Sequence, residues 1–348
     1  MRENVFFSII MPAFNAEDSI ESAIKSLQSQ TFKNFELIIV NDFSTDKTLQ
    51  KCIGLAMDDN RIKVYSNEIN KGVSISRNVA LSKAKGIYIG FLDADDYVDE
   101  DLLDTVYQNL KEENIDCIKF GYKEEYYNDN KKITHKVTKT HDEIICCNES
   151  EISNVIFELY NTVGFGYVWN SFYRREVIYN NNVIFNRELS ANEDFEFNYK
   201  IFKYIHSFKY LNFSPYHYVK MPSGSITTSF QKNYYKDSIL KIFLLLSLYN
   251  NSKSRSVQKE QALIWGYTRI VYSTLMRNFK SFKTTYKYIV GDSLYKNIMM
   301  YNVCGRNMKE KIMIYFLREQ RYMMLYFSIL GIACTKKYLT YFFDKIKE

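Results

Sequence analysis

A chain with a formal charge of +6 crowds its carboxylates into one short stretch: Asp93, Asp95, Asp96, Asp99, Glu100 and Asp101 follow directly on the apolar run IYIGFL (87–92). Carboxylates at i and i+2 after a strand can face one side. Hard oxygens at that spacing suit Mg²⁺ or Mn²⁺ shared with a diphosphate. The same residues also read as a solvated acidic turn in which Asp96 or Asp99 caps a helix starting near Glu100. A second acidic pair, Glu193-Asp194, reads by itself as the ordinary acids of a helix's first turn. Arg77 reads by itself as a salt bridge that holds a loop. Neither G-x-G-x-x-G nor G-x-x-x-x-G-K-[ST] occurs, so a phosphorylated ligand must be neutralised by other means.

The elements that must position these groups are legible in the first third. VFFSII (5–10), FELIIV (35–40), RIKVY (61–65) and IYIGFL (87–92) are apolar runs. Between them lie helical stretches with Ile20, Ile24 and Leu27 in phase, a helix through Ala56 that Asp46 can cap, and a helix from about Ser74 to Lys85. Apolar strands alternating with amphipathic helices predict a parallel sheet covered on both faces. Ligands of such sheets lie beyond the carboxyl ends of the strands. Asn15, Asn41-Asp42, Asn70-Lys71 and Asp93-Asp95 all fall at those ends. Farther on, IDCIKFGY (115–122) predicts a strand, 123–143 an exposed hairpin or loop, and 151–160 and 192–204 helices.

The 348 residues are 46% hydrophobic and 16% aromatic, with 3 prolines and 12 glycines, which implies packed structure throughout. Residues 1–229 hold 25 Lys and Arg against 33 Asp and Glu, and residues 230–348 hold 21 against 7. That break predicts a domain boundary near residue 230. The six cysteines have neither metal-ligand pairing nor the density of a disulfide scaffold and read as reduced thiols. Pro12 and Asn15 interrupt the N-terminal apolar run, so a signal peptide is not expected, and no apolar stretch reaches the roughly 20 residues of a membrane span. The expected location is cytoplasmic. His135, His141, His206 and His217 are not spaced as a metal cluster, and only His217 lies near a plausible site.

In order along the chain, Pro12, Asn15, Ser26-Leu27 with Gln30-Thr31, Glu36, Asp42-x-Ser44-x-Asp46, Gly72, Arg77-Asn78 and Leu92-Asp93-Ala94-Asp95-Asp96 resemble the donor half of glycosyltransferase family 2. The resemblance implies an α/β, GT-A fold with a mostly parallel, Rossmann-like central sheet flanked by helices, and inverting, metal-dependent transfer from a nucleotide sugar, most simply a UDP-sugar. Carried over by position, it implies that Pro12, Asn15, Asp42 and Arg77 form the donor site and Asp42 meets the base. It also implies that Asp93 faces the ribose or sugar and that Asp95, with Asp93, ligates Mn²⁺ or Mg²⁺. Asn41, Phe43, Ser76 and Ala80 depart from residues frequent in the family, and Phe43 makes the turn at the base bulkier.

VWNSFYRREVI (168–178) and ANEDFEFNYKIF (191–202) resemble the family's acceptor-side segments, which implies that Asp194, with Glu193, supplies the general base. Asn192 replaces a common glycine and Ser171 a common lysine. Trp169 is open between an acceptor platform and core. Ser225-Ile226-Thr227 would lie near the diphosphate. The expected organisation is a catalytic domain over 1–229, its donor half about 1–115 and acceptor half about 116–229, followed by a basic, aromatic-rich helical region over 230–348. The expected acceptor is a saccharide or lipid-linked saccharide of bacterial surface polysaccharide synthesis. For 230–348, two destinations stay open: a membrane surface met through YMMLYFSILGIAC (322–334), or packing on the catalytic domain or a sister subunit in a homo-oligomer. No nucleic-acid module accompanies the basic charge, so nucleic acid is not an expected partner. The rival reading is a non-catalytic nucleotide-sugar-binding subunit, which has no need of Asp194.

Overall fold

The computed structural model describes residues 5–331 except 112, 190, 222–233, 253–254 and 306. The chain forms two compact units, residues 1–229 and 230–348.

The first unit is built on one sheet of ten strands. β1 (Phe7–Ala13) and β2 (Phe35–Asn41) are apolar on both faces and buried almost without a break, as expected of strands covered on both sides. β3 (Ile62–Ser66), β2, β1 and β4 (Tyr88–Phe91) run parallel in that order. Three helices connect them. α1 (Ile20–Gln28) buries Ile20, Ala23, Ile24 and Leu27, a single stripe at helical spacing. α2 (Thr48–Met57) begins where Asp46 accepts the Thr48 N–H. α3 (Val73–Lys83) starts at Gly72, whose φ of 85° lies where a side chain is costly, and packs on β1 and β2.

Beyond β4 the sheet becomes mixed. β5 (Tyr97–Val98) and α4 (Leu102–Leu110) lead to β6 (Cys117–Tyr127), which forms a hairpin with β7 (Ile133–Lys139). After β8 (Ile144–Cys146) and α5 (Glu149–Thr162), β9 (Ser171–Arg174) runs antiparallel between β4 and β6. α6 (Arg175–Asn180) and α7 (Glu193–Ile201) precede β10 (Phe208–Lys220), which lies parallel to β6 and antiparallel to β5. The register of β10 on β6 shifts between Leu211 and Tyr216. Pro215, with no N–H to pair, falls inside that bulge, and a bulge re-aims the residues after it. Glu36 ties β2 to the turn before β4: it accepts the Ser8 hydroxyl at 2.7 Å and the Lys85 N–H at 2.7 Å, and pairs with Lys63.

The second unit contains α8 (Tyr234–Asn251), α9 (Val257–Arg277), α10 (Phe282–Gly291), α11 (Ser293–Met299) and α12 (Met308–Arg318), followed by helix over 322–331. α9 buries residues around most of its circumference, Leu263, Tyr267, Val271 and Leu275 among them, and α8, α10, α11 and α12 pack against it. Among the described residues, no helix is long and apolar enough to cross a membrane.

Candidate active site

The loops at the carboxyl ends of β1, β2 and β3 are stitched together mainly by their own polar side chains. Pro12 lies past Ile10, where the pairing of β1 with β4 stops, so its missing N–H leaves no bond of that ladder unmade. Asn15, at φ 45°, accepts the Thr45 N–H at 2.9 Å, and its own N–H donates to Ser44 Oγ at 3.0 Å. Asp46 accepts the N–H groups of Glu17 and Thr48. The buried Asp42 carboxylate accepts Asn67 Nδ2 at 2.7 Å, the Lys71 N–H at 2.9 Å and the Gly72 N–H at 2.7 Å. Asp42 therefore closes the loop ahead of α3, and both its oxygens are engaged.

The residues that depart from the family's usual ones fit their places. Asn41 donates to Ser66 Oγ and accepts the Ser44 N–H, and Ser76 accepts from Asn67. Phe43 sits at φ 61° and is 49% exposed, so a phenylalanine occupies the left-handed conformation that a glycine would take without strain. Asn192 sits at φ 63° before α7, a conformation asparagine tolerates better than most residues.

Arg77, on α3, is the hub of the second cluster. Its guanidinium, 3% exposed, gives Nη2 to Asp93 Oδ1 at 3.0 Å and Nη1 to Asp194 Oδ1 at 2.5 Å and Glu193 Oε1 at 3.3 Å. It also lies over the Phe185 ring at 5.2 Å. The salt-bridge reading of Arg77 thus holds, but the bridge joins the acidic stretch after β4 to the start of α7. One cation faces three carboxylates. Burial, with Glu193 and Asp93 close by, pushes the Asp194 carboxyl up against the pull of Arg77. Burial is the main cause, and the surplus of acids over the one guanidinium adds to it.

Asp95 opens to solvent, and no hydrogen bond or ion pair among the described residues engages its carboxylate. The protein crowded around it and the charge of Asp93 raise it to about 6. Asp96 is different: it is 2% exposed and accepts the Tyr216 hydroxyl at 2.7 Å and the Val219 N–H at 2.8 Å. Burial, then the charges of Asp95 and Asp93, push it up. Asp99 is not a free first-turn acid, since it bonds His217 Nε2 at 2.8 Å and Lys123 Nζ at 2.8 Å. Neither Asp96 nor Asp99 caps α4; Asp101 stands at that position. His217 is a core residue, stacked on Tyr97 and bonded on its other side to Glu125 at 2.9 Å.

Of the two readings of Trp169, acceptor platform and core, its surroundings fit the core. It is 3% exposed, stacked against Tyr216 at 4.2 Å and Tyr167 at 4.6 Å, and met edge-on by Tyr122, so it offers no face to an acceptor ring. Ser225-Ile226-Thr227 lie outside the described residues. Among the described residues, no three or more His, Cys, Asp or Glu side chains gather as a metal site. The donors that fit a cation are two oxygen ligands, Asp93 and the open Asp95, which has no ion pair among the described residues. Such a pair suits a hard ion that takes its other oxygens from a diphosphate and water.

Sequence reasoning missed one buried cation. Lys119, on β6, is 0% exposed and is the cross-strand partner of Ser171. Burial lowers its ammonium to about 7. The signal that pointed to it was the cation missing at Ser171.

Residues 8–181 match the model of Glycosyl transferase family 2. The chain belongs to glycosyltransferase family 2. Glycosyltransferase GlyG of Streptococcus pneumoniae is 34% identical to this family 2 chain over 115 residues, 33% of this chain and 38% of GlyG. An uncharacterized glycosyltransferase of Bacillus subtilis, EpsJ, is 30% identical over 217 residues, 62% of each chain. An Escherichia coli protein named UDP-Glc:alpha-D-GlcNAc-diphosphoundecaprenol beta-1,3-glucosyltransferase WfaP is 48% identical over 90 residues, 26% of this chain and 35% of that one. The matched stretch thus spans less than two thirds of each of these relatives. Among solved structures, residues 1–349 of S. aureus TarS in complex with UDP-GlcNAc align with a TM-score of 0.65 at 20% identity, over 95% of this chain and 92% of that one. That likeness shows the GT-A fold, with helices following the mixed α/β unit.

Proposed function

We propose that this family 2 chain is an inverting, metal-dependent glycosyltransferase that moves a sugar from a UDP-sugar to a saccharide or lipid-linked saccharide in bacterial surface polysaccharide synthesis. The observation that carries the reading is Arg77, which holds Asp93 of the acidic stretch and Asp194 of α7 within one guanidinium's span. The metal-side and base-side carboxylates of the resemblance therefore face one another. The names of WfaP and of the TarS complex support a UDP-linked donor, and that of WfaP supports a lipid-linked acceptor.

In this reading residues 1–229 form the catalytic domain. The loops pinned by Asn15 and Asp42 shape the nucleotide pocket, with Pro12 ending the strand below them. Asp194, held up by burial among acids, takes the proton of the acceptor hydroxyl while that oxygen attacks the anomeric carbon from the face opposite the diphosphate. Arg77 keeps Asp194 and Glu193 oriented and offsets part of their charge. Asp93 and Asp95 would hold Mn²⁺ or Mg²⁺, whose role when bound is to stabilise the charge on the departing diphosphate. The exposed Met323, Met324 and Phe327 next to Arg321, in a region with 21 basic and 7 acidic residues, support contact of 230–348 with an anionic membrane surface.

Asp194→Asn tests the reading against the binding-subunit rival. Turnover, followed as UDP released from a panel of UDP-sugars with Mn²⁺, is expected to fall by about 10²–10⁴ while UDP binding is kept. Unchanged turnover would remove Asp194 from the role of base. Absence of turnover in the unaltered chain with every donor favours the rival.

A further inference from the structure

A second buried cation, on β6, is held by a segment that α7 also holds. Lys119 Nζ donates to three acceptors: Tyr167 O at 2.8 Å, Asn170 Oδ1 at 2.5 Å and Ser171 Oγ at 2.9 Å. Asn170 Nδ2 in turn donates to Phe120 O at 3.0 Å, and the Phe120 N–H to Asn170 O at 3.1 Å. From the α7 side, Asn198 Nδ2 donates to Phe165 O and Tyr167 O, while Asn198 Oδ1 accepts the Tyr173 hydroxyl. The segment 165–171 is thus clamped between a lysine of β6 and an asparagine of the helix that begins with Glu193-Asp194. The clamp reaches the site through Tyr167 O, which accepts from both Lys119 Nζ and Asn198 Nδ2, so β6 and the helix that carries Asp194 are held to one carbonyl. The Lys119 ammonium also feels the Asp194 charge directly.

We infer that Lys119 is a positioning residue for Asp194: it anchors Tyr167, Asn170 and Ser171, and through the Tyr167 carbonyl that it shares with Asn198 it holds α7, and with it Asp194, in place. Lys119 touches neither donor nor acceptor. A buried cation whose acceptors are a carbonyl, an amide oxygen and a hydroxyl, with no carboxylate among them, costs desolvation that a methionine in its place avoids. Because residues 119 and 171 are cross-strand partners on β6 and β9, a lysine at either position would put its ammonium in the same layer.

The inference rests on Asp194 being the base, so Asp194→Asn is run in parallel. The variants are Lys119→Met, which keeps length and removes charge, and the exchange Lys119→Ser with Ser171→Lys. Turnover is read as UDP released from UDP-glucose with Mn²⁺ and a lipid-linked GlcNAc-diphosphate acceptor, UDP–Mn²⁺ affinity by calorimetry, and folding by thermal unfolding. Lys119→Met is expected to lower kcat at least about tenfold with donor KM and UDP affinity within about twofold, and the exchange to restore kcat to within about threefold. An unchanged kcat in folded Lys119→Met overturns the inference, as does a loss that the exchange does not recover. Should Lys119→Met fail to fold, the exchange alone decides: folded with kcat retained supports it, folded with kcat down more than about tenfold overturns it. Turnover surviving in Asp194→Asn instead points to failure of the base assignment itself.

Discussion

The loops after β1, β2 and β3 and the cluster around Arg77 use the same residue types to opposite ends. In the loops, carboxylates are spent on the chain itself: Asp42 and Asp46 accept backbone N–H groups and leave no excess charge facing another. Around Arg77 the charges do not balance, with one guanidinium against Asp93, Glu193 and Asp194, and Asp95 left open next to them. A satisfied carboxylate builds shape, and an unbalanced one is available for a proton or a cation. The difference teaches where to look for chemistry in this unit, and substitutions on each side can break or sharpen it.

The largest effect is expected at Arg77. Arg77→Met leaves three acids without their cation and should cost about 3 kcal/mol, the low end for a broken buried pair, because Asp93, Glu193 and Asp194 remain 15–28% exposed. Thermal unfolding reads the loss, and UDP release should fall by at least about 10²-fold as Asp194 loses its orientation. Arg77→Met with both properties intact would show that the cluster is not a unit. Next comes Asp95→Asn, expected to abolish Mn²⁺-dependent UDP binding while leaving the fold unchanged. With its folded-state carboxyl raised to about 6, protonated Asp95 favours the metal-free fold at low pH, and that contribution is lost as pH rises through about 6. Cation binding needs the ionised form, so UDP–Mn²⁺ affinity should strengthen from about pH 5 to 7 and level off above, a slope that Asp95→Asn flattens.

On the loop side the effects are smaller and of another kind. Asp42→Ala orphans the Lys71 and Gly72 N–H groups and should cost about 1–3 kcal/mol. Its kinetic signature is a raised donor KM with kcat kept, which steady-state assays separate from the Arg77 phenotype. Phe43→Gly removes a phenylalanine from φ 61° and should stabilise the protein by about 1 kcal/mol in thermal unfolding, against the usual direction of large-to-small changes. A destabilised Phe43→Gly would mean that the exposed ring packs on something that matters more than the strain.

Much of this was readable from the sequence because it is local. The apolar runs became β1 to β4 with ends shifted by up to three residues, and β1, β2 and β4, buried on both faces, show the near-continuous apolar pattern such strands require. The 123–143 stretch became the β6–β7 hairpin, and the predicted helices at 151–160 and 192–204 became α5 and α7. What could not be read is what pairs across long separations. Arg77 meets partners 16, 116 and 117 residues away, and nothing in the spacing of Arg77 shows that all three converge. Trp169 was undecidable because its burial depends on Tyr167 and on Tyr216, which lies on β10 beyond a bulge. Lys119 sits alone in an apolar strand and looks like an outward-facing charge until β9 is laid alongside it.

The central claim is direct displacement with Asp194 taking the acceptor proton on the face opposite the diphosphate. It is tested most directly by the anomeric configuration of the product made from a UDP-α-sugar, read from the proton coupling at the anomeric carbon. The account predicts a β-linked product, whereas an α-linked one would contradict it.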